Sequence, residues 1–142
     1  MEKIVFEYND NNNEYALESA WAEKFGDNNY KLDNILFYAP NYSWGDIVKV
    51  EDRNGELYVT GLVEESGHST IRIIFYGKED IKPTAEQLEK MGCNWEGSNI
   101  PTLISVDIPP EINYTDIRKF LDNGEEHDMW SYQESCLAHK IR

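Results

Sequence analysis

An α+β fold with an all-β first half is what this sequence predicts, and three observations carry it. Residues 1–65 read as short strands joined by tight turns. Residues 70–136 then spell β-α-β-β-α-β, the ferredoxin-like split unit. The two most apolar segments, TIRIIF and TLISVDI, fall where that topology has its central strands. The expected architecture is a small N-terminal antiparallel β-barrel-like half, residues 1–66, packed on a C-terminal ferredoxin-like half, residues 67–142. No flexible linker divides them at EESGHS, so one compact unit is expected.

The first strand is read over residues 3–8, KIVFEY, which alternate and run into the polar loop NDNNN. Residues 14–24, EYALESAWAEK, form the second, with Tyr15, Leu17 and Trp21 on one face. Gly26–Asn29 turn the chain, and Tyr30, Leu32 and Ile35 continue the pattern. Pro40 and Gly45 break LFYAPNYSWGDIVKV into an aromatic loop and a strand from Ile47 to Val50. DRNG, Asp52–Gly55, carries the Asn-Gly signal of a tight hairpin. ELYVTGLVEE then alternates Leu57, Val59, Gly61 and Val63 against Tyr58, Thr60 and Leu62. Such strands, with Gly61 at a bend, predict a small partly closed barrel.

In the second half, TIRIIF (Thr70–Phe75) is a β-branched run suited to a central strand. PTAEQLEKMG reads as a short helix, with Thr84 and Gln87 at capping-box spacing and Gly92 at its stop. CNWEGS is a short strand or turn, and TLISVDIPP is a strand ended by Pro109 and Pro110. NYTDIRKFLDNG is a second helix, capped by Asn113 or Thr115, with Ile117, Phe120 and Leu121 on its apolar face and Gly124 ending it. WSYQESC alternates as an edge strand. This topology puts Cys93 and Cys136 on opposite edges, so no disulfide is expected.

Composition narrows the function. The chain has 142 residues, 27 acidic against 13 basic, and a formal net charge of -14. Such a surface repels phosphate backbones, which argues against nucleic acid. It would steer a basic protein partner inward, or simply keep the chain soluble. No apolar stretch approaches the roughly 20 residues of a membrane span. MEKIVFEYND lacks the regions of a signal peptide, so a cytoplasmic location is expected.

The chemistry-bearing candidates each have a bland alternative. His68, beside Ser66 and Ser69 and near Glu64 and Glu65, could act as a general base. The competing and favoured reading is a turn whose hydroxyls bond local amides. Cys136 and His139 have the spacing of half a metal site, too little to predict a metal. No phosphate-binding loop, nucleophile elbow or dinucleotide fingerprint is present, and no cofactor is expected. The aromatic loop FYAPNYSWGD holds Phe37, Tyr38, Tyr42 and Trp44, which could line a pocket, anchor an interface or plug the barrel. DNGEEHDMW (Asp122–Trp130) gathers carboxylates around His127 and could dock a cationic surface.

One further reading comes from resemblance. ESAWAEKFGDNNYKLDNILFYA, followed by WGDIVKVE and VEESGHSTIR, resembles a bacterial family known as domain of unknown function 4265. The ending LDNGEEHDMWSYQESCLAH is similar to the family's C-terminal pattern, and the likeness covers nearly the whole chain. Leu36 stands where that family commonly has a proline, and His127-Asp128 where it has small residues. The resemblance implies that Ser66–Arg72, SGHSTIR, is a family signature, which draws attention to His68 and Arg72.

The expectation is therefore a non-enzymatic, acidic protein-binding module. In its sharpest form it is an immunity protein that occludes a cognate, basic toxin domain, by analogy with small acidic bacterial proteins that neutralise toxins. Glu64, Glu65, Asp122, Glu125, Glu126 and Asp128 would make charged contacts, with Trp130 or Trp44 as anchor. The alternative is a small-molecule-binding regulatory domain whose pocket lies between the halves, lined by Tyr38, Trp44, His68 and Arg72. A hydrolase using His68 comes third.

Overall fold

The structure, a computed structural model, describes residues 1–140; residues 141 and 142, the end of the expected second half, lie outside the described residues. The described chain is α+β, with nine strands in two sheets and two α-helices. Strands β1 (Glu2–Asn9), β2 (Tyr15–Gly26), β3 (Asn29–Leu32), β4 (Ile47–Arg53) and β5 (Glu56–Glu64) form a closed barrel. Each sequential pair is antiparallel, but β1 meets β5 in parallel, with Ile4 opposite Leu57. Five strands running alternately up and down leave the first and last pointing the same way, so closure makes that pair parallel. The expected partly closed antiparallel barrel is closed fully, and its one departure from antiparallel pairing is the closing pair β1–β5.

The hairpin signal at Asp52–Gly55 is realised. Asn54 and Gly55 have φ of 57° and 91°, and the Gly55 amide donates to Asp52 Oδ1 at 2.8 Å. Positive φ at both central residues matches the twist of the flanking strands. The barrel interior holds Ile4, Phe6, Tyr30, Leu32, Val48 and Val50, with Ala20 and Ala22 from β2. Tyr15, Leu17 and Trp21 do share a face, and it is the outer one, at 63%, 49% and 47% exposure. A narrow barrel accepts the alanines inside and leaves the bulky residues outside.

The second sheet contains β6 (Ser69–Phe75), β7 (Asn94–Gly97), β8 (Leu103–Ile108) and β9 (Trp130–Cys136), in the order β7-β8-β6-β9. Ile71, Ile73 and Phe75 of β6, with Ile104, Val106 and Ile108 of β8, pack against Leu88, Tyr114, Ile117 and Leu121. These last four come from α1 (Ile81–Lys90) and α2 (Tyr114–Glu126). Alternation along the strands turns Thr70, Arg72, Ser105 and Asp107 to the opposite face.

Each helix holds one correction, at the start of α1 and at the end of α2. α1 follows a 3-10 turn at Lys78–Asp80 and begins at Ile81, so Thr84 is a buried residue inside it and not a cap. Pro83 sits in the first turn, where its missing N–H costs nothing. The far end behaves as read: Cys93 N donates to Leu88 O at 3.0 Å and Gly92 N to Glu89 O at 3.0 Å, around Gly92 with φ of 96°. α2 is capped by Asn113, whose side chain accepts from Thr115 N. Gly124 does not end α2. It is a buried residue within the helix, where the Trp130 indole lies against it.

Trp130 is accordingly a core residue, 2% exposed, with its indole N–H donating to Leu121 O at 3.0 Å. Its expected part as an interface anchor is therefore corrected. Cys93 and Cys136 are free thiols on β7's approach and on β9, at opposite edges. Burial pushes the Cys93 thiol up to about 12. No helix among the described residues is long and apolar enough to cross a membrane.

Candidate functional site

The barrel and the four-stranded sheet meet across a polar seam. Its central piece is the connection between β3 and β4, residues 33–46, which lies against Thr70, Arg72 and Ser105. Ser105 Oγ donates to Leu36 O at 2.6 Å, and Ser43 Oγ and Thr70 Oγ1 are 2.7 Å apart. Arg72 Nη1 donates to the carbonyls of Phe37 (3.0 Å) and Tyr38 (3.1 Å). On the barrel side, the Glu18 carboxylate accepts the amides of Phe37 (2.8 Å), Tyr38 (3.0 Å) and Ala39 (2.8 Å). One short stretch of backbone is thus held between an anion that takes its N–H groups and a cation that takes its carbonyls.

The segment Ser66–Arg72 supplies the other side of the seam. Ser66 Oγ donates to Trp44 O at 2.7 Å, and its amide donates to Asp46 Oδ1 at 2.9 Å. Ser69 Oγ and His139 Nδ1 are 2.6 Å apart, and His139 Nε2 and Pro109 O are 2.8 Å apart. Both His139 nitrogens are therefore spent. Among the described residues, no group of three or more His, Cys, Asp or Glu side chains is placed to hold a metal.

His68 Nδ1 lies 2.8 Å from Asp107 Oδ1, and Asn94 Nδ2 donates to Asp107 Oδ2 at 3.1 Å. The Asp107 side chain is 1% exposed and that of His68 23%. The other side of the imidazole borders two clefts of about 370 and 330 Å³ that share Lys31 and Gly45. Trp44 stands beside it, with ring centroids 5.9 Å apart and Nε1 donating to Asp33 Oδ1. An imidazole oriented by a buried carboxylate has acid-base capacity. The nearby hydroxyls are committed elsewhere, however: Ser66 Oγ accepts the backbone amide of His68, at 3.2 Å, and not its ring. The geometry is that of a polar clamp. His68→Ala strands the buried Asp107 carboxylate and should cost about 2–3 kcal/mol in urea denaturation. A cost below about 0.5 kcal/mol would remove the clamp reading.

The six acids expected to form one surface are divided. Glu64 and Glu65 end β5, just before β6 begins at Ser69, whereas Asp122–Asp128 lie near Trp130, which pairs with Phe75 at the other end of β6. Seven strand residues put these groups roughly 20 Å apart. Two of the α2 acids also have structural partners. Asp122 Oδ1 accepts from Tyr132 Oη at 2.5 Å, and Glu125 Oε2 accepts from Tyr132 N at 3.0 Å, fastening β9 to the helix. Burial, with Asp122 beside it, raises the pKa of the Tyr132 hydroxyl. Glu126 and Asp128 are exposed.

The expected single pocket is divided as well. Trp44 and His68 border the clefts at the barrel end, while Tyr38 and Arg72 line a separate cleft of about 200 Å³. Sequence reading also missed Phe25 as a surface residue. It is 60% exposed and lines the larger His68 cleft together with Ile47, Glu64 and Glu65. Its signal was available: Phe25 continues the odd-numbered outer row of β2, opposite the alanines.

A family model described as Domain of unknown function (DUF4265) matches residues 18–132. The chain belongs to this DUF4265 family. The match takes in Glu18, His68, Arg72 and Asp107, so these four seam residues lie within the DUF4265 region. No curated protein matches the chain. A solved structure described as a hypothetical protein from Neisseria gonorrhoeae is similar to this DUF4265 member, with a TM-score of 0.86 and 26% identity. The likeness covers 97% of this chain and 96% of that one, so barrel and sheet are matched together.

Proposed function

We propose that this DUF4265 member is a non-enzymatic module that docks a basic protein, in its sharpest form an immunity protein covering a cognate toxin domain in the cytoplasm. The observation that supports this most is the barrel end near His68. Phe25 (60%) is exposed there and lines a cleft with Glu64 and Glu65, whose carboxylates make no ion pair or hydrogen bond among the described residues. An exposed aromatic next to unspent charge is the composition of a docking site. The net charge of -14 adds long-range attraction for a basic partner. Half-buried Trp44 forms a wall of the neighbouring cleft. We also read the four-stranded half as ferredoxin-like; the order β7-β8-β6-β9, with helices following β6 and β8, supports that reading.

The test is a titration against a candidate basic toxin domain, with lysozyme as an unrelated basic control. Glu64→Lys with Glu65→Lys should weaken specific binding at least about tenfold, chiefly through slower association. The native affinity should fall with added salt. Binding that survives both reversals unchanged would exclude the barrel end as the docking site.

A further inference from the structure

We propose that the cleft lined by Tyr38 and Arg72 binds a small apolar carboxylate, its anionic end on the guanidinium and its apolar body against Ile74 and Ile100. This site is separate from the barrel-end groove and does not depend on the protein-docking reading.

Arg72 is a half-buried cation, and among the described residues no carboxylate lies within ion-pairing distance of it. Glu18 acts on it at longer range but is occupied by three backbone amides. The guanidinium has five N–H donors. Nη1 serves the two carbonyls, and Nη2 donates to the neutral Gln133 Oε1 at 3.0 Å. Nε is buried and has no partner. Once Gln133 moves aside, Nε–H and the Nη2–H beside it form the edge of the fork that a carboxylate grips with both oxygens. Gln133 is exposed, so its side chain can swing away. Exchanging its neutral oxygen for a carboxylate replaces a single bond to a neutral acceptor with a two-pronged ion pair.

The cleft also defines the rest of the ligand. Ile74 and Ile100, 51% and 44% exposed, stand among its lining residues with Phe37 and Tyr38. The Tyr38 hydroxyl donates to Asn99 Oδ1 at 3.1 Å, which ties that wall to the loop carrying Ile100. A volume of about 200 Å³ suits a single ring or a short alkyl chain. A bare anion would meet the repulsion of a chain with a net charge of -14, so apolar contact must supply the remaining affinity.

The test uses the full chain at neutral pH, with amide chemical shifts followed by NMR. Benzoate should bind saturably in the millimolar range, moving the resonances of Arg72, Ile74 and Gln133. Benzamide, which keeps the ring and loses the charge, and acetate, which keeps the charge and loses the ring, should each bind at least about tenfold more weakly. Arg72 also holds the 37–38 carbonyls, so Arg72→Lys is paired with Ile74→Glu, which places a competing carboxylate at an exposed position. Both should abolish benzoate binding, while Glu64→Lys with Glu65→Lys should leave it intact. No saturable shifts at tens of millimolar benzoate would overturn the proposal. So would equal binding of benzamide, or benzoate binding unaffected by Ile74→Glu.

Discussion

Gly124→Ala should destabilise the protein by about 3 kcal/mol, although alanine is the better helix former. Propensity alone favours the substitution by about 1 kcal/mol at an interior helix position. Packing reverses the sign. A Cβ on Gly124 would fall among Cζ2, Cε2 and Cη2 of the Trp130 indole. That ring is 2% exposed, bonded to Leu121 O and wedged between Phe75 and Phe120 at centroid distances of 5.7 and 5.6 Å. It can yield only by leaving the core, and burial of a tryptophan is worth about 3–5 kcal/mol. Urea denaturation gives the cost. Trp130→Phe removes the clashing atoms, so the double variant should be more stable than the two single losses added together. A Gly124→Ala protein as stable as the native one would disprove this packing.

Glu18→Gln should cost about 3 kcal/mol, despite matching in size. Oε1 accepts from Tyr38 N and Ala39 N, and Oε2 from Phe37 N. An amide in that place must turn a donor toward at least one backbone N–H, leaving it unsatisfied. The 37–39 stretch then loses its hold from the barrel, and the carbonyls that Arg72 grips are released with it. Hydrogen exchange reads this directly: the amides of Phe37, Tyr38 and Ala39 should lose protection ahead of β6 and β8. Undiminished protection in Glu18→Gln would mean that the carboxylate does not hold the loop.

What could be read in the sequence was local. Asn54-Gly55 declared its turn because two residues set that geometry. TIRIIF and TLISVDI declared central strands because burial on both faces needs no partner to be named. The misreadings share a different cause. Gly124 looked like a helix stop because a glycine near a helix end usually is one; its reason for being there is an indole six residues later. Trp130 looked like an exposed anchor because its neighbours are acidic, yet it turns under α2. Thr84 had the spacing of a cap, but the 3-10 turn moved the helix start forward to Ile81. In the site, Ser66–Arg72 was legible as a hydrogen-bonded junction. Its partners were not, because Phe37 and Asp107 come to it from distant parts of the chain, and Glu18 holds Phe37 from a third.

Parallel closure of the barrel imposes an order on synthesis. Ile4 and Val5 pair on one side with Ala20 and Ser19, and on the other with Leu57 and Tyr58. The first hairpin can form as soon as β2 has left the ribosome, but the second side of β1 has no partner until β5 follows. Through that interval the amino-terminal strand is an open edge, a template for any passing strand. Glu2, Lys3 and Glu7 put charge along it. Charge along an unpaired strand is a general means of discouraging strand addition, and here it is needed only before the barrel has closed.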